Sequence, residues 1–280
     1  MVNIGTHVSS SKSLDLVFDR GKEIGAKSIQ FFLRSPRSWN WIERKDKEKE
    51  IFLEKRKSSG INPVVVHASY LFNLASSDDE LFSKSINSII EELKLCEELK
   101  VDYYVIHAGK TKGKSKEFGI KRVISGLEKI FEKVDIKDTT FLIETLAGQS
   151  GGVGSTLEEI NQLLEPFKSI KIGVCLDTCH IFASGYPIHT EEGFAFFKEI
   201  LNKIVGLEKV KVIHCNDSKA PFNSHKDRHE HIGKGFIGLK GFEMFINDEF
   251  FKKVPFILET PKEGNMDIIN MKTLYSLVRP

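Results

Sequence analysis

Two hydrophobic patterns alternate along the chain. Eight short runs, "NIGTHV", "SIQFFL", "PVVVHAS", "DYYVIHAG", "TTFLIETLA", "IGVCLDTCH", "VKVIHCND" and "VPFILET", are nearly continuously apolar, and several are rich in Val, Ile, Phe and Tyr. Parallel strands covered on both faces read this way. The longer stretches between them repeat apolar residues at helical spacing, as in "DELFSKSINSIIEELKLCEELK" after the N-cap candidates Ser76, Ser77 and Asp78, and in "KEFGIKRVISGLEKIFEKV". Strand–helix alternation repeated eight times predicts an α/β fold, a single (β/α)8 TIM barrel spanning 1–280. The run "ERKDKEKE" mixes both signs and reads as a solvated helix face.

The strand ends carry the chemistry. His7, His67, His107, Glu144, Asp177, His214 and Glu259 each sit at or near the end of an apolar run, where a barrel gathers side chains at its carboxyl mouth. The second run differs, ending in "FFLRSPRSW". Loops add His180, Asp227 and His229. Asp177 and His180 are three apart and would face opposite ways on an extended chain, so the chain is expected to turn after "LDT" and put His180 on a loop. Asp227 and His229 are two apart and point the same way if extended. Taken singly, a strand-end histidine is more often a hydrogen-bonded core or rim residue than a ligand. Taken together, Glu144, Asp177, Asp227 and Glu259 would crowd four negative charges into one mouth and force some to stay protonated. Three divalent ions would remove that difficulty and leave the positive balance that suits a phosphodiester and a hydroxide. Mixed His and carboxylate ligation favours zinc, with manganese or iron as alternatives at one position.

Composition narrows the setting. With 40% hydrophobic and 29% charged residues and a net charge of +2, the chain is globular and is no general polycation, so contact with nucleic acid requires a local patch. "MVNIGTHVSSSKSL" has no basic segment followed by a long apolar one, and no apolar run approaches a membrane span. Cys96, Cys175, Cys179 and Cys215 fall mostly in apolar runs without a CxxC pair, which fits reduced, buried thiols and a cytoplasmic location.

"LDTCHIFASGY" and "HCNDSKAPFNSHKDRHEHIGKGFIG", with "GTHVSS", "FFLRSPRSW", "VHASY" and "ETLAGQ" in order, resemble the endonuclease IV family of zinc-dependent apurinic/apyrimidinic endonucleases over almost the whole chain. The resemblance implies three zinc ions. His67 and His107 would hold one and share Glu144 as a bridge to a second, which Asp177, His214 and Glu259 complete; His180, Asp227 and His229 would hold the third. It implies Glu144 and Glu259 as the catalytic carboxylates, Glu144 acting as a metal bridge. Arg37, Tyr70 and Leu71 resemble side chains that enter the base stack. The implied reaction is attack by metal-bound hydroxide on the phosphodiester 5′ to an abasic site in duplex DNA, leaving a 3′-hydroxyl and a 5′-deoxyribose phosphate. Cleaning of blocked 3′ ends is expected beside it, in a protein that nothing in the sequence requires to be more than a monomer.

Other residues are read without a ligand role. His7 is a candidate support for the ligands, while His189, His225 and His231 read as surface residues. Trp39 and Trp41 read as loop anchors. Lys110, Lys112, Lys114 and Lys116 are candidate phosphate contacts, weighed against a merely solvated loop. Three other functions compete. "AGKTKGKS" at 108–115 follows a strand like a relaxed Walker A loop, with "GVCLD" able to pose as its partner, but Ala108 replaces the first glycine and the histidines go unexplained. "AGQSGGVGS" is a weak phosphate-cradle signal. A metal-dependent sugar isomerase or epimerase would need fewer ligands and no Arg37 or Tyr70. A non-catalytic sensor of damaged DNA would have no use for nine ligands.

Overall fold

The structure, a computed structural model, describes residues 2–279. All eight predicted runs form strands: β1 (Ile4–His7), β2 (Ile29–Phe31), β3 (Val64–His67), β4 (Tyr103–Ile106), β5 (Thr140–Glu144), β6 (Ile172–Asp177), β7 (Val210–His214) and β10 (Phe256–Leu258). They close into a parallel barrel, β1 pairing with both β2 and β10. At that seam Gly5 lies so close to β2 that an added Cβ would sit 1.9 Å from the Ser28 carbonyl oxygen. An antiparallel ribbon unforeseen in the sequence, β8 (Asp217–Ser218) with β9 (His229–Glu230), rises above the mouth.

Helices cover the outside: α1 (Leu16–Glu23), α2 (Asp46–Ser59), α3 (Asp79–Glu98), α4 (Lys116–Phe131), α5 (Leu157–Leu164), α7 (Glu191–Ile204), α8 (Gly238–Asn247) and α9 (Met266–Ser276). Of the three cap candidates Asp78 takes the part, accepting from the Glu80 and Leu81 amides. Phe82, Ile86, Ile89, Leu93 and Cys96 form the buried stripe of α3. Only part of "ERKDKEKE" is helical. Arg44 precedes α2 and folds back onto Glu48 and the Leu33 carbonyl, both at 3.1 Å.

The strands bury both faces. Val65, Val105, Leu142, Cys175, Val212 and Ile257 pack as an apolar plug inside the barrel. Their neighbours Val66, Tyr104, Ile143, Val174, Ile213 and Phe256 face the helices. Two residues beyond each plug residue, on the same face, stand His67, His107, Glu144, Asp177, His214 and Glu259. All four cysteines are buried and free, as expected.

A buried ion pair fixes the loop after β2. The Arg34 Nε donates to Glu92 at 2.6 Å, and the Tyr104 hydroxyl donates to the other Glu92 oxygen at 2.6 Å. The Arg34 guanidinium also stacks on Trp41, 4.7 Å from its ring, and donates to the Trp39 carbonyl. Trp39 and Trp41 are therefore the loop anchors the sequence suggested. Replacing Glu92 by Ala leaves a buried guanidinium without its main partner. Urea unfolding is expected to show a loss of about 3–5 kcal/mol; a loss below about 1 kcal/mol would show that solvent or another carboxylate had replaced it.

Candidate metal centre

Glu144 ends β5 at the centre of the mouth and is fully buried. Its two oxygens face opposite ways. Oε2 lies 3.0 Å from the Nε2 atoms of both His67 and His107, while Oε1 lies 3.2 Å from the Nδ1 atoms of His214 and His180. The His214 Nδ1 is also 3.2 Å from Glu259 Oε2. Ligand atoms of Glu144, Asp177, His214 and Glu259 fall within 4.8 Å of one another, and so do those of His180, Asp227 and His229. All nine sequence candidates thus meet around one mouth.

His180 is not on a loop. Asp177 becomes the N-cap of a short helix, α6 (Thr178–Ala183), its carboxylate accepting the His180 amide at 2.8 Å. The cap supplies the turn that the spacing required, and one helical turn brings His180 back over the strand it follows. There its Nε2 lies 3.2 Å from Asp227 Oδ1. Asp227 Oδ1 is 3.4 Å from His229 Nε2, as expected for residues two apart.

The histidines are held ready to ligate. His67 Nδ1 donates to the Ala68 carbonyl at 2.7 Å, His180 Nδ1 to the Thr145 carbonyl at 2.8 Å, and His229 Nδ1 to the Glu259 carbonyl at 3.2 Å. Each bond ties one ring nitrogen to a carbonyl and turns the other toward the carboxylates. For His214 the roles reverse: Nε2 donates to Gln30 at 2.8 Å, leaving Nδ1 inward. Glu144 Oε1, His180 Nε2, His214 Nδ1 and His229 Nε2 are buried and have no hydrogen-bond partner. Native proteins rarely leave such atoms orphaned, and four converging on one mouth fit bound cations.

Two supporting residues escaped the sequence reading. The Gln30 amide nitrogen donates to Glu259 at 2.6 Å and to His7 Nδ1 at 3.1 Å, while its oxygen holds His214. Asn216 donates to Asp177 at 2.6 Å and accepts the Glu259 amide at 2.8 Å. The one available signal was position: Gln30 is a lone amide inside an apolar strand. His7 lies beside both, its Nδ1 3.7 Å from Glu259 Oε1 and 3.1 Å from the Gln30 amide nitrogen.

Burial disfavours charge on all these groups, yet alternation of acids with imidazoles overrides it. His107 and His214 hold the Glu144 carboxyl well below the usual range. Glu259 is lowered by His214 and His7, and Asp227 by His180 and His229. In return His180 is raised well above its ordinary value by Asp177 and Asp227, and His214 by Cys175, Glu259 and Glu144. The crowding expected to raise the carboxylates is thus offset at Glu144, Asp227 and Glu259 by the interleaved histidines.

A family model described as a xylose isomerase-like TIM barrel matches residues 18–275. A Sulfurihydrogenibium protein named "Probable endonuclease 4" is 69% identical over 279 residues, covering 100% of both chains. The chain belongs to the endonuclease IV family. Among solved structures, endonuclease IV from Thermus thermophilus matches with a TM-score of 0.88 at 33% identity over 98% of each chain. A D-tagatose 3-epimerase-like protein, 18% identical with a TM-score of 0.74 over 98% of this chain and 96% of its own, shares the barrel alone.

Around this endonuclease IV centre the remaining candidates divide. Tyr70 is 56% exposed and lies over the rings of Phe32, His67 and His107, with centroids 5.3–5.8 Å away. Arg37 is exposed, whereas Leu71 is half-buried against the core. Lys110, Lys112 and Lys114 are exposed, but Lys116 turns inward to Glu159 at 2.9 Å, so it is removed from the phosphate contacts. The Walker-like loop is already engaged: the Lys110 amide donates to Asn73 and the Thr111 amide to Gly151, each at 2.9 Å. In the glycine-rich loop the Gly154 and Ser155 amides donate to Glu159, which occupies the place a phosphate would need. His225 is exposed, but His189 and His231 are half-buried, and His231 Nδ1 accepts from Asn270 at 3.1 Å.

Gln30→Ala should lower metal affinity about 10–100-fold while leaving the helical circular dichroism unchanged; competition against a chelator measures it, and an unchanged affinity would remove Gln30 from the centre. Metal uptake should also release protons. Neighbouring acidic groups raise both His180 and His214, so an incoming ion competes with protons for these imidazoles. Affinity should therefore rise with pH, by about tenfold per unit for each proton displaced, in weakly buffered titrations.

Proposed function

We propose that the chain holds three divalent ions and hydrolyses the phosphodiester on the 5′ side of an abasic site in duplex DNA, leaving a 3′-hydroxyl and a 5′-deoxyribose phosphate. As a member of the endonuclease IV family it is a metal-dependent AP endonuclease of DNA repair. The observation that carries the finer reading is Glu144, a buried carboxylate whose two oxygens face separate groups of imidazoles. His67 and His107 would hold one ion on the Oε2 side. Asp177, His214 and Glu259 would hold a second on the Oε1 side. His180, Asp227 and His229 would hold the third. The His and carboxylate donor set favours zinc, with manganese or iron at one position as the alternative.

Bound ions would supply water activation and a charge clamp on the scissile phosphate. The chain's own residues do the positioning. Glu144 sets the spacing between the two halves of the site, and Gln30 and Asn216 lock Glu259, His214 and Asp177 in place. Tyr70 stands over His67 and His107, where it can exclude water and stack on a base. Arg37, on the loop anchored by Arg34, is placed to enter the duplex beside it, with Leu71 in a lesser packing part. An abasic nucleotide has no base pair to break, so its extrusion into the mouth costs less than that of a normal one. Lys110, Lys112 and Lys114 are the phosphate contacts, which makes binding weaken as salt rises.

Blocked 3′ ends present the same phosphodiester to the same mouth and fall within this reading. Among the described residues no helix is long and apolar enough to cross a membrane. Four buried free thiols suit a reducing cytoplasm, and a single barrel carries all nine ligands, so a monomer suffices.

A metal-loaded preparation given a duplex with one tetrahydrofuran abasic analogue should make a single 5′ nick bearing a 3′-hydroxyl. Glu259→Ala should reduce the rate by more than the roughly 10–100-fold that loss of a supporting partner costs. An intact duplex with the metals demonstrably bound would sink the endonuclease reading.

A further inference from the structure

The ligands of the proposed third ion differ in origin from the rest. His67, His107, Glu144, Asp177, His214 and Glu259 stand at or one residue past the ends of barrel strands, whereas His180 lies on α6, Asp227 on the excursion between β8 and β9, and His229 on β9. The barrel sets the first six directly. The position of Asp227 relative to His180 and His229 depends on how the 219–228 segment seats on α6.

That seat is aromatic. The Phe222 ring lies 5.5 Å from Phe182 and 5.7 Å from His189, and Phe182 and His189 are 5.2 Å apart. Phe182 is buried and lies two residues after His180, while Phe222 lies five before Asp227. Backbone bonds follow the rings: the Asn223 amide donates to the Phe182 carbonyl at 3.3 Å and the His225 amide to the Ala183 carbonyl at 2.9 Å. Asn223 and His225 both have left-handed backbone, with φ of 56° and 55°. Asn and His are among the few non-glycine residues that take up that conformation readily, so the segment can turn twice over α6. The base of the excursion is fixed separately. Asp217 accepts the amides of Gly233, Gly235 and Ile237, and the Lys219 amide donates to the Arg228 carbonyl at 2.8 Å.

We infer that Phe222, seated on Phe182 and His189, is the positioning residue that brings Asp227 to His180 and to the ribbon-held His229, and so sets the third metal position apart from the other two. This rests on the three-ion reading above. It gives His189 a part as one wall of the clamp, and it explains a phenylalanine that is 41% exposed. Loss of the ring should release the tip of the excursion while the Asp217-bound base and the barrel stay folded.

The test is metal content, read by mass spectrometry after dialysis against a weak chelator, on the wild type, Phe222→Ala and Phe222→Leu. The wild type should keep three ions and Phe222→Ala two, with the third lost about 10–100-fold more readily. Phe222→Leu, which restores an apolar contact, should recover most of the third. The metal-free forms of all three should melt within a few degrees of one another. A Phe222→Ala protein that keeps its third ion as tightly as the wild type overturns the inference. So does one that loses all three ions or fails to fold, because the ring would then support the whole fold. A wild type holding fewer than three ions overturns the three-ion reading itself, and is told apart by needing no variant.

Discussion

The two-residue period of a β-strand governs this molecule. In each of six strands the inward residue at the barrel's waist is apolar, and two positions on, at the strand's end or one residue past it, stands a side chain able to bind a metal. The waist must be filled, because a parallel barrel is a packed core and tolerates no void. Filling it with Val, Leu, Ile and Cys puts a dry floor directly beneath a ring of imidazoles and carboxylates. A one-residue slip in register would send every ligand outward among the helices, so the packing that stabilises the barrel also specifies the site.

A dry floor makes the ring above it costly. Carboxylates with almost no solvent access are tolerable only where opposite charge is close. Imidazoles stand on either side of Glu144, and the nitrogens that His67, His107 and His214 turn to it are the ones that would turn to a cation. Outward-facing nitrogens are tied to carbonyls of Ala68, Thr145 and Glu259 and to the Gln30 amide. Ring orientation is thus set before any ion arrives, which lowers the reorganisation that binding would require.

Beyond the strands the molecule uses loops braced on one another. Arg34 and Glu92 hold the loop that carries Arg37, Lys116 and Glu159 join the loops after β4 and β5, and Asp217 gathers the amides beyond the ribbon. Several of these are charged pairs closed within the protein, which is why some lysines and backbone amides that look available for phosphate are already engaged.

Strand and helix periodicity made the barrel legible in the sequence, and strand-end residue types picked out six of the nine candidate ligands that meet at its mouth. Both signals are local, since a side chain's face follows from its place in the strand. Asp78 capping α3 is local in the same way. What the sequence did not show depends on partners far apart in the chain. Gln30 meets Glu259 across 229 residues and His214 across 184, so nothing near Gln30 marks it as part of the site. Lys116 looks like a free cation until Glu159 is folded against it, and His189 looks like a surface residue until Phe222 packs on it. His180 lies on a helix and not on the expected loop, because the Asp177 carboxylate that begins that helix was counted only as a candidate ligand. Residue type and spacing decide which groups can do the chemistry; only closure of the barrel decides which groups hold them still.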